Sequence, residues 1–442
     1  DALREIQRRQ ELIYVPPRAT TIERDCMYNN VAHDDPAWTA ARAQWMYAPC
    51  HRSLYGYQLR AALARAIENQ HWSVGYIPLG CTGATIPEGL RAGQPPRERQ
   101  LRDGAGRYEA QVAEGQLHNL KVRLDAAGRK ADLIFLSIGG NDVGFSGLVA
   151  DVIVDAPVER WLLGLAGQIV TPQAAEARLP AFRRDFARLR ARLAPLVAAG
   201  DLDRVVLTSY GSPARKGAGI DDVCASGRRG FDAHPAFAVD GARLKQADAF
   251  VETKLTPALR DLARCAATGE GACTGDKQTM RYAATHRDAF FAHGVCAADA
   301  TAPAFDRCFR DGDTFKQAAD QTPLDQPMKH CPAARMSDFA PYAARGRWFR
   351  TVNDSYLTAM SFPDSVPGYL KAHRRNDGLW ALFAMVYGGA LHPTAEGHAA
   401  VSVDGRRDAA EKRERRKAPL VPPMGPIDLV RAGAAAIWAT GR

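Results

Sequence analysis

The stretch FLSIGGNDVGF, Phe135 to Phe145, runs an apolar strand into a turn whose crest carries Asn141 and Asp142. Gly139 and Gly140 let the backbone bend sharply there, and the Asn141 carboxamide can then aim two N–H donors at one point. Two other short stretches carry the same kind of promise. GCTGAT, Gly80 to Thr85, follows an apolar stretch and contains Gly83, whose backbone N–H is unshielded by any side chain. LHPTAEGH, Leu391 to His398, holds His392 directly before Pro393 at the entry to a helix. Two N–H donors and an imidazole are the parts of an acyl-transfer site: the donors hold a developing oxyanion and the histidine moves a proton. Taken singly, each stretch has a plainer reading, as a turn, a disulfide beside a turn, or a structural histidine. Their combination and order are what point to chemistry.

The elements that would position these groups follow from periodicity. Apolar residues at i, i+3, i+4 spacing predict a helix over LYGYQLRAALARAIENQ. A strand is expected at Trp72 to Leu79, an amphipathic helix over EAQVAEGQLHNLKVRLDAA, and a fully buried strand at ADLIFLSI. Beyond these come a long helix around Ala174 to Ala199, interrupted near Pro180, and a strand at Asp203 to Tyr210. Helices alternating with apolar strands predict an α/β protein with a parallel sheet covered on both faces. In such a sheet, ligands bind where the strands end and the loops fan out, which is where Gly83 and Asn141 fall. From about Gly211 to Gly346 the rhythm breaks. That stretch holds six of the nine cysteines, one long helix at about Gly241 to Cys265 and a short strand at AFFAHGV, and it reads as an elaboration on the core. A last helix is expected at about Ile427 to Thr440.

Composition narrows the class. The chain has 442 residues, 46% apolar and 24% charged, enough for one large core. No stretch reaches the roughly 18–20 continuous apolar residues of a membrane span. The net charge is +9, but the densest basic run, Arg406 to Lys417, is interleaved with acids at helical spacing and reads as a solvated helix face, so nucleic acid is not an expected partner. No C-x-x-C pair occurs, which argues against zinc or thioredoxin chemistry, and neither metal nor organic cofactor is expected. Scattered cysteines favour disulfides and a secreted or periplasmic location, with buried thiols in a cytosolic enzyme as the alternative.

The three stretches together resemble the SGNH (GDSL) hydrolase superfamily. SIGGNDVGF matches that family's Asn block, CTGAT its Gly block and LHPTAEGH its His block, and CHRSLYGYQL from Cys50 is similar to a segment of the secreted bacterial lipase-like branch. The resemblance spans roughly Cys50 to Tyr210 and Gly388 to Val403. It implies a three-layer α/β/α flavodoxin-like fold, a single domain over residues 1–442 with the cysteine-rich insertion at 211–346, and a Cys50–Cys81 disulfide. It also implies an ester hydrolase acting on a small-molecule, lipid or glycan ester, with Gly83 and Asn141 as oxyanion donors and His392 as the base. Two departures stand out. No Gly-Asp-Ser occurs, and neither Ser53, Ser137, Ser209, Ser212, Ser355 nor Ser365 sits in that block's context. The first strand and its nucleophilic serine are therefore expected upstream of Asp1, or on a second chain, with Cys26 left over as the partner of a cysteine there or as a free thiol. The second departure is Gly389, which occupies the position three before the histidine where the family places an aspartate. A backbone carbonyl or a carboxylate from elsewhere would then orient His392, giving a Ser–His dyad or a triad. The alternative is a ligand-binding module on the same scaffold without catalysis.

Overall fold

The computed structural model describes residues 50, 52, 56–94, 114–219, 221–227, 230–231, 236–264, 280–297, 346–352, 355, 389–394 and 396–402, together with the backbone of 437–440. Cys26 and the basic run at Arg406 to Lys417 lie outside the described residues. The remainder is a mixed α/β structure built on a small parallel sheet.

Three strands form that sheet in the order β2 (Ile134–Leu136), β3 (Val205–Thr208) and β4 (Arg281–Ala283), all parallel. Ile134 pairs with Val205 and Leu136 with Leu207, while Val206 pairs with Arg281. Every residue of β3 is buried, as its apolar and β-branched sequence VVLT demands of a central strand. The helices α1 (Tyr57–Glu68), α2 (Gln116–Ala126) and α3 (Phe145–Ile153) flank the site loops, and α4 (Pro157–Leu165), α5 (Pro172–Glu176) and α6 (Leu179–Leu193) complete the crossover from β2 to β3. The break between α5 and α6 falls beside Pro180, as its missing N–H requires.

Helix α6 shows how the core is made. Phe182, Phe186, Leu189 and Leu193 recur on one face and are all buried. They meet Leu259 and Leu262 of a later helix within the main apolar cluster. That later helix runs as α7 (Gly241–Phe250), a single π turn (Val251–Leu255) and α8 (Thr256–Arg264), close to the expected span. Asp240 caps its start, accepting from the N–H groups of Ala242 and Arg243 at 2.9 and 3.0 Å. Arg190 of α6, itself buried, donates to the Leu262 and Ala263 carbonyls at the far end, where a helix presents unpaired acceptors.

Several expectations are corrected. β1 (Ser73–Tyr76) does not join the described parallel sheet; it pairs antiparallel with β5 (Ile437–Thr440). The last of the predicted C-terminal helix is therefore a strand at 437–440, where pairing against an exposed strand edge outweighs the helix preference of an alanine-rich stretch. AFFAHGV is no strand either: α9 (His286–Ala289) runs into turns, with Ala292 at φ +67°. The strand in this region is β4 instead, three residues long and opening on Arg281, too short for an alternation to register. No helix among the described residues is long and apolar enough to cross a membrane.

Candidate active site

The GCTGAT loop is pinned from outside. Cys81 is disulfide-bonded to Cys50, and Thr82 N–H donates to the Cys50 carbonyl at 3.2 Å. Arg52, two residues along, donates through Nε to the Gly80 carbonyl (3.0 Å) and through Nη2 to the Leu79 carbonyl (3.3 Å). Gly83 lies at φ +78°. Its neighbours Thr82 and Ala84 both spend their N–H groups on backbone carbonyls, whereas no hydrogen bond from the Gly83 N–H is found among the described residues. Gly83 is thus one of the backbone donors of this loop without an acceptor among the described residues.

The GGND turn is locked from inside. Gly139 sits at φ +110°, and a Cβ there would lie 2.8 Å from the Phe182 ring, so only glycine lets the turn pack on α6. Gly140 N–H donates to the Tyr210 hydroxyl at 3.1 Å, tying this strand end to the one after β3. The turn then meets the first loop. Asn141 Nδ2 donates to the Ala84 carbonyl at 3.0 Å, and Asp142 Oδ1 accepts from Ile86 N–H at 2.9 Å. An amide NH2 has two hydrogens, so the bond to Ala84 fixes the orientation of Asn141 and leaves the second N–H as a donor beside Gly83. Burial pushes the Asp142 carboxyl up to about 6, against the opposing effect of the Ile86 N–H.

His392 arrives on a third loop. Its Nδ1 lies 3.1 Å from the Ala390 carbonyl. With Nδ1–H donating there, Nε2 carries the lone pair a general base needs. The ring meets Phe145 edge-on at 5.4 Å between centroids. Phe145 opens α3 four residues after Asn141, so the histidine packs against the helix that continues the GGND turn. The loop is held by a segment that sequence reasoning missed, Trp348 to Arg350. Arg350 N–H donates to the His392 carbonyl (3.0 Å), Leu391 N–H to the Arg350 carbonyl (2.9 Å) and Thr394 N–H to the Trp348 carbonyl (2.8 Å). The sequence WFR shows two aromatic residues but not their partners, since Trp348 and Phe349 pack on His293 and Phe290 from a distant part of the chain; Phe145, by contrast, lay inside the motif already singled out.

The structure accounts for the glycine at the expected aspartate position. Gly389 has φ +125°, and a Cβ there would come within 2.8 Å of the Arg350 guanidinium. Leu391 is also held at φ +59°, a strained conformation for a branched residue beside the candidate base. His398, at the other end of the motif, stacks on Tyr57 at 6.1 Å between centroids. Burial, followed by the nearby Arg350, Arg60 and His392, drives its pKa down to about 4. Two serines near the sheet edge are structurally engaged: Ser209 Oγ accepts from the Tyr282 hydroxyl at 2.8 Å, and Ser212 donates to the buried Asp248, which also pairs with Arg215. Ser53 and Ser365 lie outside the described residues.

A second disulfide, Cys224–Cys296, closes the described part of the 211–346 stretch. Comparisons of the chain with protein-family models, with curated proteins and with solved structures found no match.

Proposed function

We propose that this protein is a serine ester hydrolase of the SGNH type, on a three-layer flavodoxin-like core, working in a secreted or periplasmic setting. The observation that carries the reading is the junction of the first two loops: Asn141 is aimed by its bond to Ala84, one residue from the uncommitted N–H of Gly83. In this scheme a nucleophilic serine outside the three blocks attacks the ester carbonyl. His392 Nε2 takes the hydroxyl proton as the bond forms. The carbonyl oxygen, now negative, accepts from Gly83 N–H and Asn141 Nδ2–H. The protonated imidazole then passes its proton to the departing alkoxide, and water releases the acyl group by the same steps in reverse. The Ala390 carbonyl does the orienting that an aspartate performs in a triad. It fixes the tautomer but stabilises the imidazolium less than a carboxylate would. The two disulfides support the extracytoplasmic setting.

A fluorophosphonate probe tests the chemistry. Stoichiometric labelling of one serine in the full-length protein, lost in His392→Ala, is the expected result. Absence of labelling would favour the non-catalytic ligand-binding module.

A further inference from the structure

Helix α4 exposes what a helix of a globular protein ordinarily buries. Val158 is 66% exposed, Trp161 63%, Leu162 52% and Leu165 70%, and none of the helix's residues is buried. Their spacing is i, i+3, i+4, i+7, so the four side chains form one continuous apolar face. The opposite side is anchored: Arg160 forms an ion pair with the buried Asp151 of α3 and donates to its carbonyl at 2.9 Å. The helix rides on an excursion rooted at both ends. Asp155 N–H donates to the Ala236 carbonyl (2.8 Å) where the chain leaves α3, and Val170 N–H donates to the Gly147 carbonyl (3.1 Å) where it returns. From Trp161 to Val170 the sequence WLLGLAGQIV holds no charged residue.

We propose that α4 is an interfacial element that docks the protein on an anionic lipid surface. An uncharged tip can enter the headgroup region without stripping water from an ion. A tryptophan with leucines on one exposed face, opposite the anchored Arg160, is the apolar half of a helix that can lie in the interface plane. The net charge of +9 supplies the long-range attraction to an anionic surface. The inference does not depend on the hydrolase reading, and its test reads no activity.

Flotation of the full chain with vesicles of phosphatidylcholine and phosphatidylglycerol (3:1) is the measurement. The wild type is expected to float. Leu162→Asp/Leu165→Asp is expected to lower the bound fraction at least roughly tenfold with unchanged circular dichroism, because both side chains are exposed. Tryptophan emission is expected to shift to the blue on vesicle binding, with Trp161→Phe removing most of the shift whether or not the double variant folds. Wild-type protein that stays at the bottom of the gradient, a double variant that floats equally well, or an emission shift unchanged in Trp161→Phe would overturn the proposal. So would light scattering that shows a dimer dissociated by the double variant, since the face would then belong between copies.

Discussion

Asn141, Gly83 and His392 each owe their position to one specific bond or contact. The Ala84 carbonyl holds Asn141, the disulfide-pinned loop with φ +78° places Gly83, and the Ala390 carbonyl with the Phe145 ring sets His392. Gly389 is as constrained as any of them. At φ +125° an L side chain is strained by about 1–3 kcal/mol. An aspartate at this position is therefore disfavoured by the backbone. Gly389→Asp is predicted to lower unfolding stability by about 1–3 kcal/mol in urea titrations and to give no gain in ester turnover. A more stable or faster variant would show that the loop can accept the acid.

At the scale of elements, what the sequence disclosed depended on how far the deciding interaction reached. β3 was legible from its own VVLT, and α6 from the recurrence of Phe182, Phe186, Leu189 and Leu193, because burial pattern alone decides both. The turns at Gly83 and Gly139 were legible because glycine is chosen there for backbone reasons, which their positive φ angles show. β5 was not legible, since its partner β1 lies some hundreds of residues away and only that pairing makes 437–440 extended. β4 hid behind Arg281, which pairs with Asp203 just before β3. The Trp348 to Arg350 segment was not legible because its backbone and ring partners, His392, Phe290 and His293, lie elsewhere in the chain. The Cys50–Cys81 disulfide, implied by resemblance, is present, whereas Cys224–Cys296 followed from no motif.

At the scale of the whole molecule, two buried groups near the site pull stability in opposite directions with pH. Asp142, raised to about 6 from an ordinary 3.8, keeps a proton in the folded chain that the unfolded chain has released. Its contribution is therefore fully present below the ordinary value and is lost as pH rises through about 6. His398, lowered to about 4 from 6.5, stays neutral in the folded chain while the unfolded chain takes up a proton, so its contribution is present above 6.5 and is lost as pH falls through about 4. Asp142→Asn removes the first effect and keeps an oxygen for the Ile86 N–H. The stability of this variant relative to wild type is predicted to rise by about 1–3 kcal/mol between pH 4.5 and pH 8, measured by urea unfolding at both values. An unchanged difference would mean that Asp142 is ionised at little cost. The site joins loops from three distant parts of the chain, and hydrolysis of a p-nitrophenyl ester by Asn141→Ala tests that arrangement most directly. Removing one oxyanion donor is predicted to lower kcat at least roughly tenfold while the thermal midpoint barely moves. Turnover close to wild type in that variant, or none in the wild type itself, would contradict the account.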